Sequence, residues 1–189
     1  MDNINNRPWE LFSGWMNPVE ANEWKQKLFE RLEWSQPLVH VFGKKYLVPR
    51  KTTFIGDEGI NYSYSGVNHY ANGWPYWFTP LLKNICSISK NNFNGCLINL
   101  YRNGNDRMGW HADNEKELIS NKKISSLSLG SSRDFFIKHR YLPVKEKIIL
   151  QNGDLLIMHP KCQEEWLHSV PLRKKISDLR INLTFRCYR

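Results

Sequence analysis

The sequence predicts an α+β domain in which N-terminal helices pack on one sheet of a jelly roll. Three observations carry this. Two helix signals fall within the first 90 residues. Five segments rich in branched and aromatic residues then follow, divided by turn residues: CLINLYR, KISSLSLG, RDFFIKHR, KIILQNGDLLIMH and DLRINLTFRCYR. Finally, 189 residues suffice for one domain with a single substantial core. Many short strands suit a sandwich or barrel, and ligands enter such a fold at its open mouth.

In the first helix, Asn17 and Glu20 suit the N-cap and N3 positions around Pro18 at N1, and Trp24, Leu28 and Leu32 recur every four residues. The pattern ends before Pro37. Thr79 and Pro80 repeat the start signal, and Leu81, Leu82, Ile85 and Ile88 keep helical spacing up to the asparagine-rich turn at 91–94. In the last strand Ile181, Leu183, Phe185 and Cys187 alternate with Arg180, Asn182, Thr184 and Arg186. Taken alone, that polar face reads as the solvent side of an antiparallel sheet. In CLINLYR, however, Asn99 and Tyr101 likewise stand opposite Cys96, Ile98 and Leu100, so both polar faces suit the lining of one cavity. The rigid forks of Arg180 and Arg186 would match the carboxylates of a small dicarboxylic acid.

The formal charge of +9 favours a polyanionic partner such as nucleic acid, although positive charge also serves general solubility. Cys86, Cys96, Cys162 and Cys187 form no CxxC pair and read as reduced thiols. The start MDNINNRPWELF lacks a basic region followed by an apolar one, and no apolar run reaches membrane-spanning length. The expectation is a soluble, unsecreted monomer without a membrane partner.

Within MGWHADNEKE, residues 108–117, His111 and Asp113 would share one face of an extended chain. A third metal ligand must come from His139, His159 or His168. His139 lies in the basic run IKHR and His159 precedes Pro160, whereas His168 follows Trp166 and Leu167 and leads toward the arginine strand, which selects His168. Two histidines and a carboxylate form a facial triad that leaves iron positions open for a chelating co-substrate and oxygen. Zinc hydrolysis uses the same ligand types. The arginine-lined face favours iron.

Together NLYRNGNDRMGWHAD, His168 and RINLTFR resemble the AlkB family of iron- and 2-oxoglutarate-dependent dioxygenases over about residues 38–187. Within that family it resembles in particular the homologues that repair alkylated double-stranded DNA. The resemblance implies a double-stranded β-helix of about residues 96–189, preceded over about 1–95 by helices and a nucleotide-recognition lid. It also implies Fe(2+) on His111, Asp113 and His168, with 2-oxoglutarate among Asn99, Tyr101, Arg180, Asn182, Thr184 and Arg186. The implied reaction uses O2 and 2-oxoglutarate to hydroxylate an N-methyl group on a damaged base, releasing succinate and formaldehyde.

By the same resemblance the substrate is alkylated DNA, with RNA as the alternative, gripped by residues 40–66. Phe42, between Val41 and Gly43, resembles the finger that fills the gap left by a flipped nucleotide. Lys44, Lys45, Arg50 and Lys51 would track phosphates beside it. Tyr62 and Tyr64 would cover the base, with Asn114 and Glu115 near the pocket mouth. Tyr64 stands where duplex-acting relatives have phenylalanine, and Asn114 where they have a second acidic residue. Location would be nuclear in a eukaryote and cytoplasmic in a bacterium. A dioxygenase for proteins or small molecules, and a binding module with a vestigial site, are the competing readings.

Overall fold

The computed structural model describes residues 7–41, 44–64 and 67–189. The chain opens with β1 (Trp9–Phe12) and α1 (Pro18–Arg31), then β2 (Leu38–Val41), β3 (Lys44–Leu47), β4 (Lys51–Gly56), β5 (Asn61–Tyr64) and β6 (Val67–Tyr70). A 3-10 turn, Tyr76–Phe78, leads into α2 (Thr79–Ser89). The second half holds β7 (Gly95–Tyr101), β8 (Met108–His111), β9 (Ile124–Gly130), β10 (Arg133–His139), β11 (Lys145–Leu150) and β12 (Leu155–Met158). It closes with α3 (Pro160–Glu165), β13 (Trp166–Val170) and β14 (Arg180–Arg186).

Two antiparallel sheets make the jelly roll. The major sheet runs β1-β12-β9-β14-β7-β4 and the minor sheet β11-β10-β13-β8. Hairpins β2–β3 and β5–β6 form separate two-stranded sheets, and the second packs Tyr62 against Leu97 and Tyr188. One face of the major sheet carries Ile98, Leu100, Leu127, Leu129, Ile181, Leu183 and Phe185, which pack with Ala21 and Leu28 of α1 and Leu81 and Ile85 of α2. Burying these side chains supplies the main driving force for docking the helices. The opposite face meets the minor sheet, where Tyr101, Ile124 and Leu156 pack with Phe135, Ile137 and Val170.

Both helix signals have structural counterparts. Asn17 Oδ1 accepts from the Val19 and Glu20 amides at 3.1 and 3.0 Å, satisfying two donors that a helix start leaves free. In α2 the preceding 3-10 turn makes Phe78 the cap, so Thr79 is already helical and makes no capping bond. Between β11 and β12 the chain crosses from the minor to the major sheet through a turn in which Gly153 takes φ +89°. A Cβ there would also strike the Met16 carbonyl, so glycine is required twice over.

The polar face of β14 follows the cavity-lining alternative that its pairing with CLINLYR suggests. The polar face of β14 does not meet solvent: Arg180, Asn182, Thr184 and Arg186 are all buried. β14 lies between β7 and β9. Its apolar face therefore packs under the helices while its polar face lines the space between the sheets.

Candidate functional site

His111 ends β8 and His168 sits mid-β13, opposite each other in the antiparallel register. Their ring centroids are 4.2 Å apart. Asp113 follows in the loop after β8, and one ligand atom from each of the three lies within 4.8 Å of the others. Register shifts between His168 and Val170, the kind of irregularity that re-aims side chains. Trp110 is exposed while its neighbour His111 enters the cleft, as alternation along a strand requires.

The donors are in ligating form. His111 Nδ1 lies 2.9 Å from the Gly109 carbonyl, which can only accept, so that nitrogen carries the proton and Nε2 keeps a lone pair. Burial lowers the His111 pKa, and burial together with His111 pushes His168 down to about 3. For Asp113 burial acts upward, but Arg186 and the two histidines outweigh it and hold the carboxyl at about 2. Arg186 Nη2 donates to Asp113 Oδ1 at 2.7 Å. Two neutral imidazoles and a carboxylate thus converge. His168 Nδ1 is buried without a hydrogen-bond partner among the described residues, so this donor set fits an iron ion.

Beside the cluster lies a cavity of about 40 Å³ lined in part by Asn99, Tyr101, Asn182 and Thr184. Arg180 stands behind Tyr101, 1 % exposed, donating from Nη2 to Ser128 Oγ at 2.7 Å. Among the described residues its Nε and Nη1 are buried without a hydrogen-bond partner, and burial lowers its pKa to about 10. The Arg180 and Arg133 guanidiniums lie 5.2 and 5.5 Å from the Tyr101 ring centroid. Neither forms an ion pair among the described residues. Arg180, buried and without an ion pair among the described residues, is complementary to an anionic co-substrate such as 2-oxoglutarate, whereas Arg133 donates to the Asn103, Asp106 and Pro171 carbonyls.

Several expected site residues sit differently from their sequence reading. Arg50 is not on a phosphate-tracking surface: it is buried, its Nε donates to Asn99 Oδ1 at 2.6 Å, and it lines the cavity. The Asn99 carbonyl compensates the desolvation that would otherwise keep it outside. Arg186 lines the same cavity but is engaged by Asp113 and the Tyr62 hydroxyl. Tyr62 is fully buried and donates to Glu115 Oε1 at 3.2 Å, while Asn114 is exposed. Val41 and Tyr64 end β2 and β5. Phe42 and Gly43 lie outside the described residues.

The rejected histidines are occupied elsewhere. His159 Nε2 is 2.7 Å from Glu10 Oε1, and His139 Nδ1 accepts from the Tyr141 and Leu142 amides. Sequence reasoning missed Arg133, which starts the strand RDFFIKH, and Gln163 in KCQEEW. Neither carries a local signal, because burial of a long polar side chain is decided by tertiary neighbours.

Residues 9–186 match the model of the 2OG-Fe(II) oxygenase superfamily. The chain belongs to this superfamily. The co-substrates of these oxygenases, Fe(II)-bound 2-oxoglutarate and oxygen, agree with the donor set and the cationic cavity. The chain is 35% identical over 179 residues to human "DNA oxidative demethylase ALKBH2", covering 89% of this chain and 69% of that one. It is 33% identical over 189 residues to human "Alpha-ketoglutarate-dependent dioxygenase alkB homolog 3", covering 93% and 64%. The chain therefore spans about two thirds of the length of these relatives. Among solved structures, "The structure of OsALKBH1" superposes with a TM-score of 0.69 at 17% identity, covering 96% of this chain and 98% of that one, which supports the oxygenase jelly roll.

Proposed function

We propose that this 2OG-Fe(II) oxygenase removes N-alkyl groups oxidatively from nucleic-acid bases, reversing 1-methyladenine- and 3-methylcytosine-type lesions in DNA. The observation that carries the chemistry is the His111, Asp113 and His168 cluster beside a cavity backed by the unpaired cation Arg180. Support for the substrate class comes from the ALKBH2 relative, named as a DNA oxidative demethylase, and from the formal charge of +9.

Bound iron supplies oxygen activation coupled to the decarboxylation of 2-oxoglutarate. One oxygen atom ends in succinate and the other on the N-methyl carbon, and the hydroxymethyl product loses formaldehyde to restore the base. The chain's residues bind and orient. Arg180 receives a carboxylate of 2-oxoglutarate on its free Nε and Nη1, and Asn99, Tyr101, Asn182 and Thr184 line the co-substrate cavity. Arg186 keeps Asp113 ionised and fixes its carboxylate. Tyr62 and Glu115 form a hydrogen-bonded pair beside Arg186, and the buried Glu115 Oε2, without a partner among the described residues, is available to the polar edge of a base. Val41, Phe42, Gly43 and Tyr64 belong by resemblance to the nucleotide-recognition hairpins.

No described helix is long and apolar enough to cross a membrane. We read the protein as a monomer, nuclear in a eukaryote or cytoplasmic in a bacterium. The test is to incubate it with Fe(II), ascorbate, 2-oxoglutarate and matched methylated single- and double-stranded oligonucleotides. Restored bases with formaldehyde release are expected. Succinate formation without repair of any methylated oligonucleotide would move the substrate to a protein or small molecule.

A further inference from the structure

We propose that Gln163 is a positioning residue that holds the metal ligand Asp113 through its backbone. The inference rests on the metal-centre reading of His111, Asp113 and His168 and is independent of substrate identity.

His111 and His168 are fixed by the β8–β13 ladder, whereas Asp113 lies in a bend beyond the strand. Its amide does not join a ladder. Instead it donates to Gln163 Oε1 at 2.9 Å, with Asp113 4 % and Gln163 7 % exposed. Gln163 lies on α3, which runs directly into β13 and so into His168. Residues 163–168 thereby set the position of two ligands, one through its own side chain and one through a neighbour's peptide group.

Gln163 is itself restrained. Its Nε2 faces Met158 Sδ on β12 at 3.5 Å, and its backbone carbonyl accepts from Arg140 Nη2 at 3.4 Å. The Arg140 amide in turn donates to the Glu165 carbonyl at 2.8 Å, tying the β10–β11 turn to α3. On the other side Arg186 grips the Asp113 carboxylate. Asp113 is thus anchored at its amide by α3 and at its carboxylate by β14. Releasing the amide leaves a buried donor unsatisfied and frees the loop to turn the carboxylate away from the imidazoles. Groups that orient metal ligands typically change metal affinity by about 10–100-fold when removed.

The test uses Gln163→Met, which keeps an unbranched chain against Met158 but loses the carbonyl acceptor. Mn(II) serves as the probe, with the free ion read by electron paramagnetic resonance, so the readout does not depend on turnover. We expect Mn(II) to bind at least tenfold more weakly, with selectively faster hydrogen exchange at the Asp113 amide and a Tm lowered by only the few degrees that one unsatisfied buried donor costs. Unchanged Mn(II) affinity would overturn the proposal. So would weaker binding accompanied by a large fall in Tm and faster exchange throughout, since that marks α3 packing alone. Should the variant fail to fold, the wild-type metal-free protein decides: Asp113 exchange as slow as the β8–β13 ladder supports the contact, and exchange as fast as Asn114 refutes it.

Discussion

Position 168 places an imidazole where burial and a second histidine keep it neutral, with one nitrogen lacking a hydrogen bond among the described residues. That environment disfavours a proton and suits a metal. Replacing His111, Asp113 or His168 with alanine should abolish iron retention and turnover together, checked by metal analysis of the purified variants. The same burial has a pH signature in the chelator-treated protein. The folded His168 pKa, about 3, lies below the unfolded value near 6.5, so the unfolded chain binds the extra proton between them. Stability should therefore fall as pH drops from about 6.5 toward 3, and His168→Gln should flatten that slope in a thermal-unfolding series. Arg180→Lys keeps a positive charge but loses the planar fork. The KM for 2-oxoglutarate should rise by about tenfold, about 1.4 kcal/mol, and an unchanged titration would remove Arg180 from the cavity's function. At this scale the sequence was legible where spacing carried the information: HxD, the polar face of β14 and the context that favoured His168 over His139 and His159. It was not legible for Arg50, Arg133 and Gln163, whose roles come from partners 49, 27 and 50 residues away in the chain.

Elements differ in how much of themselves they carry. α1 is written in its own residues: Asn17 caps it, Pro18 starts it and Leu28 is fully buried. Asn17→Ala should cost about 1 kcal/mol by thermal or denaturant unfolding. The strands β8 and β13 had no such local signature, because MGWH is short and begins around a glycine and WLHSV follows directly on a helical turn. Their partnership, not their composition, makes them strands. The hairpin β2–β3 brackets Phe42, which we propose enters a duplex when the damaged base leaves the stack. Aromatic stacking is worth roughly 1–3 kcal/mol against the cost of extruding a paired base. Phe42→Ala should lower repair of methylated duplexes by about tenfold and leave single-stranded repair nearly intact. Equal loss on both substrates would mark a packing residue instead.

The whole molecule joins these parts by putting β14 at the centre of the major sheet, paired on one side with β7 and on the other with β9. One strand thereby contributes apolar residues to the helix-covered core and polar residues to the co-substrate cavity. The jelly-roll class was legible from the succession of short strands, but this order was not, since β1 and β4 come from the first third of the chain and flank strands far later in sequence. The proposed function uses both faces of that strand: an apolar face that fixes the major sheet under the helices, and a polar face turned toward the iron ligands of the minor sheet. The most direct test counts products on a duplex carrying one 1-methyladenine. Each restored adenine should be accompanied by about one formaldehyde and one succinate above the uncoupled background, and all three should vanish with chelator or in Asp113→Ala. Iron-dependent succinate formation that leaves methylated duplex and single-stranded DNA untouched would contradict the account.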